Sequence, residues 1–302
     1  MINLFSQKIM AHQIKITDKD LSEALEKIPP LSPVVANVLK LIRDPLSSSS
    51  KIAQEIAKDP VLSFEVMKLV NSPLYGFSRK IETLEHAVAL LGLKSLESII
   101  ISAQAKNSFD IELKYFRLKR GELSLQAFIG AYTSKLVSQD KWPGVEDVAF
   151  TAGVLRVIGK IAMDYFISKN FPEVEAEMKK GESFDKIEKK LFGLTSSDLS
   201  SIILEKWKIP EEIREIVSKF NKLHLIKDKS SRLYRLAVSV HIGDRVAMMT
   251  GIGASIDSML YQIDEEIFKN AGIKPEDIEK YLEETLKIYP LLVKELSYIL
   301  PP

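Results

Sequence analysis

Histidine is the first residue type to consider, because it supplies most metal ligands and many proton-transfer groups in proteins. The chain has four histidines, His12, His86, His224 and His241, and no two of them are three or four residues apart. None is followed directly by an aspartate. We therefore expect His12, His86 and His224 to be ordinary surface side chains.

His241 has a chemical neighbour, since Asp244 lies three residues further along the chain. On a helix this spacing places an imidazole and a carboxylate on one face. A single pair cannot hold a metal tightly without further ligands. The favoured interpretation is a core histidine hydrogen-bonded to a neighbouring carboxylate, and a metal-ligand pair is the alternative.

Other catalytic residue types are poorly represented. The chain has no cysteine, which excludes a thiol nucleophile, a zinc–thiolate site and a disulfide. It has no Gly-x-Ser-x-Gly segment. Gly251-x-Gly253 lacks the third glycine and the preceding strand of a phosphate-binding loop, so we interpret it as a turn. These residues taken alone predict a helical protein without a recognisable active site.

The elements that carry these residues are helical almost throughout, because apolar residues recur at the spacing of one buried helix face. Ser32-Pro33 and Asp59-Pro60 should each open a helix, since serine and aspartate cap N-termini and proline favours the first turn. Gly92 should end one helix. The expected helices include residues 51–58, 81–91, 123–138, 148–168, 173–190, 197–207, 210–221 and 232–249.

The 302 residues suffice for one large or two modest domains. A net charge of +1 gives no reason to expect a nucleic-acid or membrane partner, and we expect a cytoplasmic location. A charged stretch at residues 110–121 suggests a boundary between two lobes. The predicted organisation is an N-terminal extension (1–17), an N-terminal helical lobe (18–112), a second helical lobe (113–255) and a helical C-terminal extension (256–302).

Two stretches of the chain carry a specific series of motifs. Residues 28–92 contain, in order, IPPLSP, RDP, AKDPVLS, LVNSPLYG and AVALLG. Residues 152–160 read AGVLRVIGK, and WKIP follows at 207–210. This series resembles the HDOD family, a helical output and regulatory module of bacterial signalling related to the HD-type phosphohydrolases. The resemblance covers about residues 20–255 and implies an all-α, two-lobed helical bundle of the HDOD and HD type.

The chain departs from the metal-binding HD relatives at the position of their His-Asp pair, where it has Arg156 and Val157. Arginine carries a permanent positive charge, and valine offers no lone pair. We expect Arg156 to point to solvent or to pair with an acid such as Asp244, the one ligand that the resemblance leaves in place. The predicted vestigial pocket consists of Gln126, Arg156, Val157, Ser196, Phe220, Asn221, His241 and Asp244.

The resemblance therefore implies a non-catalytic signalling module that acts through protein–protein contacts, with no metal or other cofactor. The candidate interaction loop comprises Asn71, Ser72, Tyr75, Gly76 and Phe77, because Tyr75 and Phe77 are aromatic and aromatic residues are favoured in interaction hot spots. In the alternative interpretation Asn71 and Ser72 cap helices, Gly76 supplies a turn, and substitution of Tyr75 reduces stability.

Two other functions stay open at this point. The chain could be a sensor that binds a nucleotide or cyclic dinucleotide in the vestigial pocket, with Arg156 holding a phosphate, since arginine suits bidentate phosphate recognition. It could also retain metal-dependent phosphohydrolase activity through a site outside the aligned residues. The missing ligands argue against that activity.

Overall fold

The computed structural model describes residue 14 and residues 16–72, 75–77, 79–260 and 265–296. In these ranges the regular structure is α-helical, apart from short 3-10 turns and one isolated β-bridge. The predicted all-α class is therefore confirmed. His12 and most of the N-terminal extension lie outside the described residues, whereas His86 and His224 are exposed, as predicted.

Helices α1–α5 form the N-terminal half of the chain: Asp18–Leu25, Pro33–Ile42, Ser49–Ala57, Pro60–Val70 and Leu84–Phe109. The predicted helix starts are confirmed. The Ser32 side chain accepts a hydrogen bond from the Val35 amide at 3.1 Å. The Asp59 carboxylate accepts from the amides of Val61 and Leu62, at 3.0 Å each. These side chains satisfy amides that the first turn of a helix leaves without a partner.

Helix α5 changes direction at Gly92, which adopts a left-handed φ of +73°. The expected helix end is thus present, but a second helical segment follows it directly. Of the described helices, α5 alone is long and apolar enough to cross a bilayer. Half of its apolar window is buried inside the protein, and Ile99 and Ile100 have no exposed surface. This burial is typical of the core helix of a folded domain.

Helices α6–α13 form the second half: Glu122–Lys141, Glu146–Leu155, Gly159–Lys169, Phe171–Met178, Phe184–Phe192, Ser196–Lys206, Glu211–Lys219 and Arg232–Met249. Helix α6 lies at the centre and packs on α7 and α13. One connected cluster of buried apolar residues joins both halves, with Val38 of α2, Ile99 of α5, Val154 of α7 and Leu236 of α13 among its members. The two predicted lobes therefore share a core.

The prediction of one helix over residues 148–168 is wrong, because the chain breaks between α7 and α8. A Cβ added at Gly159 would lie 2.0 Å from the Ser196 carbonyl oxygen, so α8 and α11 meet in close contact. Ser200 supports the break from α11. Its hydroxyl accepts from the Gly159 amide at 2.8 Å and donates to the Arg156 carbonyl at 3.0 Å. The apolar periodicity continues through this break and could not indicate it.

The prediction of one helix over residues 173–190 is also wrong. Helix α9 ends at Met178 and α10 begins at Phe184. Between them Gly181 adopts a φ of +75°, a conformation that glycine takes at little cost. The sequence contained this signal, since a glycine in a run of charged residues is a common helix end.

The charged stretch at residues 110–121 is a compact turn. Leu113 and Leu118 form the isolated β-bridge, with reciprocal N–O distances of 2.9 and 3.0 Å. Phe116 is completely buried. The Asp164 carboxylate of α8 accepts from the amides of Tyr115 and Phe116, at 2.9 Å each. The segment joins the halves through buried contacts that its charged composition does not indicate.

The C-terminal extension contains α14 (Glu265–Ala271) and α15 (Pro275–Leu296). Helix α15 packs along α6. The hydroxyls of Thr285 and Thr133 are 2.8 Å apart in a buried contact, and Tyr281 donates to the Asp140 carboxylate at 2.7 Å. These contacts make the extension part of the folded unit.

Candidate functional site

Arg156 follows the last residue of α7, and its side chain has no exposed surface. Its Nε donates to Asp244 Oδ1 at 2.8 Å. Nη1 donates to the carbonyls of Gly153 and Ala127, at 2.7 and 3.2 Å, and Nη2 donates to that of Gln126 at 3.0 Å. Four of the five guanidinium N–H groups are thus bonded to the protein itself. The expected pairing of Arg156 with Asp244 is confirmed.

Asp244 lies on α13 and is nearly as buried as its partner, with 4% of the side chain exposed. Arg245 is a second cation near it, with 3.6 Å from Nη1 to Oδ2. Burial by itself raises the pKa of this carboxyl, but the charges of Arg156, Arg245 and Lys160 outweigh it and hold the pKa below its usual range. Asp244 is therefore a carboxylate at neutral pH.

Gly130 of α6 provides the space for the guanidinium. A Cβ at this position would lie 2.3 Å from Arg156 Nη2, closer than two such atoms can approach. Gly243 of α13 makes a similar close contact, because its Cβ would lie 2.3 Å from the Gly130 carbonyl oxygen. These glycines let α6 and α13 approach and leave room for one buried arginine between them.

Lys160 is a second buried cation, which the sequence analysis did not select. Its Nζ is 2.7 Å from Asp257 Oδ2 and 2.9 Å from Gln126 Oε1, and it lies 5.4 Å from the centre of the Phe116 ring. Asp257 comes from the segment between α13 and α14, so the C-terminal extension contributes a carboxylate to the site. Lys160 is part of the AGVLRVIGK motif, but nothing in the sequence pairs it with Asp257.

Glu188 of α10 is a further group that the sequence did not indicate. It accepts hydrogen bonds from the amide and the hydroxyl of Ser196, a predicted pocket residue at the start of α11. Burial raises the pKa of Glu188 to about 8, against the hydrogen bonds from Ser196, which lower it. Asp257 raises it further through like-charge repulsion. Glu188 is thus mostly protonated at pH 7.

His241 is buried but is not bonded to a carboxylate, so that part of the interpretation is wrong. Its Nδ1 lies 3.0 Å from the Phe220 carbonyl oxygen and must donate to it, since a carbonyl can only accept. Nε2 has no hydrogen-bond partner among the described residues. Burial, followed by the charge of Arg245, lowers the pKa of His241 to about 3. The imidazole is therefore neutral.

Six of the eight predicted pocket residues line one narrow cleft, namely Arg156, Val157, Ser196, Phe220, Asn221 and Asp244. Gln126 and His241 do not line it, although Gln126 reaches it through its bond to Lys160. Asn221 is engaged by Arg245, whose Nη2 donates to its Oδ1 at 2.8 Å. The cleft has a volume of about 50 Å³, enough for one or two water molecules. Ligand pockets measure roughly 300–1,000 Å³, so this cleft is well below their usual size.

The side chains at this centre do not fit a catalytic metal. Such an ion needs about three protein ligands and one open position. Within the described residues, no group of three or more histidines, aspartates and glutamates could hold one. The two central carboxylates, Asp244 and Asp257, already face the fixed cations Arg156 and Lys160. The arrangement is an internal ion network in which protein side chains balance the charge.

Side chains of the candidate interaction loop form hydrogen bonds with backbone groups of the protein itself. The Asn71 amide group donates to the carbonyls of Met67 and Ile81, at 2.9 Å each, and its Oδ1 accepts from the Ile81 amide at 2.8 Å. Ser72 donates to the Leu69 carbonyl at 2.6 Å. These bonds support the capping interpretation for both residues.

The two aromatic residues of the loop differ in exposure. The Tyr75 ring packs edge-on against Phe150, and the Lys135 ammonium lies 4.7 Å from its centre. Burial, with the nearby charge of Asp147, raises the pKa of Tyr75. Phe77 is 36% exposed and follows Gly76, which adopts a φ of +63°. Of the two predicted anchors, Phe77 is the more exposed, and Tyr75 is partly buried.

Comparison with known proteins gives a family and a fold. The family model of the HDOD domain matches residues 28–223, more than half of the chain. The solved structure of an HDOD domain protein of unknown function from Geobacter sulfurreducens superposes with a TM-score of 0.66 at 18% identity, covering 93% of this chain and 96% of that one.

A protein from Shewanella amazonensis SB2B, whose name assigns it to the phosphohydrolases, has a solved structure that superposes with a TM-score of 0.66 at 21% identity. The superposition covers 93% of this chain and 98% of that one. An uncharacterized protein of Treponema pallidum (strain Nichols) is 21% identical over 199 residues, 64% of this chain and 37% of the relative. The match thus spans well under half the length of that curated relative.

Proposed function

This chain belongs to the HDOD family, and we propose that it is a non-catalytic regulatory module that acts through contacts with other proteins. The observation that carries the proposal is the buried ion pair between Arg156 and Asp244, with an N–O distance of 2.8 Å. It stands where the resemblance places the metal of the HD relatives.

The energetics of this pair support the proposal. A metal ion at Asp244 would lie next to a guanidinium that cannot lose its proton, since the pKa of arginine is above about 12. Moving that guanidinium aside would break its bonds to three backbone carbonyls in a dry environment. An unpaired buried charge costs several kcal/mol, so the network opposes metal entry.

A regulatory role through protein contacts is supported by family membership and by the close packing of charged side chains at this centre. The cleft has a volume of only about 50 Å³, which is too small for a substrate to bind at its centre. What remains available for recognition is the outer surface of the helical bundle. The partner would therefore be recognised there, away from the ion network.

The test is metal content together with hydrolysis. Untagged protein, purified without chelators from cells supplied with iron, manganese and zinc, is analysed by elemental mass spectrometry. It is also assayed with bis(p-nitrophenyl) phosphate, a general phosphodiester substrate, in the presence of each metal. We expect a metal stoichiometry near zero and no metal-dependent turnover. One or two metal ions per chain, with turnover that Asp244→Asn abolishes, would overturn the proposal.

A further inference from the structure

A groove with a volume of about 580 Å³ lies between α2 and the end of α11, so it is bordered by both halves of the chain. Its floor is lined by Leu31, which is partly exposed, and by Leu39 and Trp207, which are nearly buried. Its volume is within the range of ligand-binding pockets and exceeds that of the central cleft about tenfold. We call it the basic groove.

The polar side chains of the basic groove are mainly cationic. Lys40 lies in the last turn of α2, Arg43 directly follows that helix, and Lys206 and Lys208 lie at the end of α11. Arg43 is engaged by Glu97, with 2.7 Å from Nη2 to Oε1. Among the described residues, Lys40, Lys206 and Lys208 form no ion pair with a carboxylate. The groove therefore has positive charge on both walls above an apolar floor.

Asp44 is the single acidic residue among those that line the groove. Its carboxylate accepts local hydrogen bonds from the Leu46 amide at 3.0 Å and from the Ser47 hydroxyl. Counting Lys40, Arg43, Lys206 and Lys208 against Asp44, the lining carries four positive charges and one negative charge. This excess contrasts with a net charge of only +1 for the whole chain.

Lys208 is held in an unfavourable backbone conformation. It is one of two non-glycine residues with positive φ in the described chain, at +55°. Helix α11 ends in a Schellman motif, in which the Ile209 amide donates to the Leu204 carbonyl at 3.0 Å and the Lys208 amide to that of Glu205 at 2.9 Å. Glycine is the usual residue at this position, because a Cβ destabilises the left-handed conformation. A lysine here places a charge at the groove at a cost in stability.

We infer that the basic groove binds an acidic segment of a partner protein, with the carboxylates of that segment along the lysines and an apolar side chain against the partly exposed Leu31. This inference rests on the proposed role in protein contacts and names the surface that makes one. Complementary charge on both walls would attract and orient the segment, and contact with Leu31 would add apolar burial.

A compact phosphate ligand fits the groove less well than a peptide. Phosphates are held by the free amides at helix N-termini, whereas α11 ends at the groove and presents its carbonyl end there. The partial negative charge of a helix C-terminus acts against any nearby anion, and more strongly against a compact dianion than against single carboxylates spread along the groove. A peptide can spread its carboxylates along Lys40, Lys206 and Lys208.

The first test uses a fluorescein-labelled 12-residue peptide of alternating glutamate and leucine, followed by fluorescence anisotropy at low and high salt. The groove variant is Lys40→Glu/Lys206→Glu. Its control is Lys51→Glu/Lys227→Glu, which makes the same charge change at exposed lysines outside the groove. We expect the groove variant to bind at least about tenfold more weakly than the wild type, and the control to bind within about twofold of it.

The second test separates binding from folding. Lys208→Gly removes a cation of the groove and also relieves the left-handed backbone. Arg117→Gly is its matched control, because Arg117 has a φ of +59°, is exposed and lies outside the groove. Both variants should raise Tm by a few degrees. Only Lys208→Gly should weaken peptide binding, by about threefold or more.

Four results would overturn the inference: no binding of the acidic peptide by the wild type, equal weakening by both double variants, unchanged binding by Lys208→Gly, or displacement of the peptide by ATP beyond the effect of matched ionic strength. The last result would assign the groove to a phosphate ligand. Any of them together with a metal stoichiometry near zero would leave the non-catalytic role standing.

Discussion

The buried pair of Arg156 and Asp244 yields the sharpest prediction about this protein. Arg156→Met removes the guanidinium and leaves Asp244 as a buried carboxylate. Arg245, at 3.6 Å, and Lys160 compensate that charge only in part. The carbonyls of Gln126, Ala127 and Gly153 also lose a donor. Arg156→Met should therefore lower the free energy of unfolding.

The magnitude follows from the burial of the two side chains, which are 0% and 4% exposed. Removing one partner of such a pair costs about 3–5 kcal/mol. Because Arg245 remains near Asp244, we expect the lower end, about 3 kcal/mol. For a domain of this size, 1 kcal/mol corresponds to about 2–3 °C in Tm. Arg156→Met should thus lower Tm by about 6–9 °C.

The assay is a double-mutant cycle measured by urea unfolding, with Asp244→Leu as the second single variant. Each single variant leaves one buried charge without its partner. The double variant Arg156→Met/Asp244→Leu replaces both charges with apolar groups, and such replacements are often neutral or stabilising. We expect the double variant to lie within about 1 kcal/mol of the wild type, and the coupling free energy to be about 3 kcal/mol or more.

Two outcomes would refute this reasoning. A coupling free energy below about 0.5 kcal/mol is what independent sites give, and it would mean that the pair does not hold the centre together. The second outcome is a double variant that loses more free energy of unfolding than the two single variants lose together. It would mean that the two charges do not stabilise each other in the folded state. The m-value should stay constant, which shows that the unfolded reference state has not changed.

Three further predictions concern neighbouring parts of the structure. The pKa of Glu188 is about 8 in the folded protein, against 4.5 for an unperturbed glutamate, so the folded protein binds the proton more tightly. The free energy of unfolding should therefore fall as pH rises between these values. Glu188→Gln should abolish that fall in urea titrations at pH 5.5, 7 and 8.5. Tyr75→Ala should lower stability by about 2–3 kcal/mol in urea unfolding because the ring is packed, whereas Phe77→Ala should change it by less than about 0.5 kcal/mol. Gly130→Ala should lower the free energy of unfolding by about 2 kcal/mol, because the added methyl group displaces the guanidinium. The loss should be much smaller in the Arg156→Met background, and a second double-mutant cycle measures this difference.

Local features of the fold were predictable from the sequence. Ser32 and Asp59 cap helices through hydrogen bonds to amides two or three residues away. Such bonds depend on neighbouring residues alone, so the sequence contains all the information needed. The same holds for the helix end at Gly92, which requires one residue able to adopt positive φ.

The two wrong helix predictions show different limits. The end of α9 has a local signal in Gly181, because a glycine among charged residues is a common helix end. The break before Gly159 has no such local signal, because Ser200, 41 residues away, supplies its hydrogen bond and the Ser196 carbonyl excludes a Cβ there. A backbone bend that another helix stabilises cannot be inferred from the periodicity of its own segment.

The sequence by itself determined the helical class, most of the helix starts and the presence of Arg156 and Val157 where the resemblance places a His-Asp pair. Tertiary structure decided which charged groups surround Arg156. Lys160 and Asp257 are 97 positions apart in the chain, and Glu188 meets Ser196 only because α10 and α11 pack at a cleft. The free energy of a charge depends on its burial and on which charges surround it. Both are set by the packing of distant helices, so the internal ion network became visible only in the folded chain.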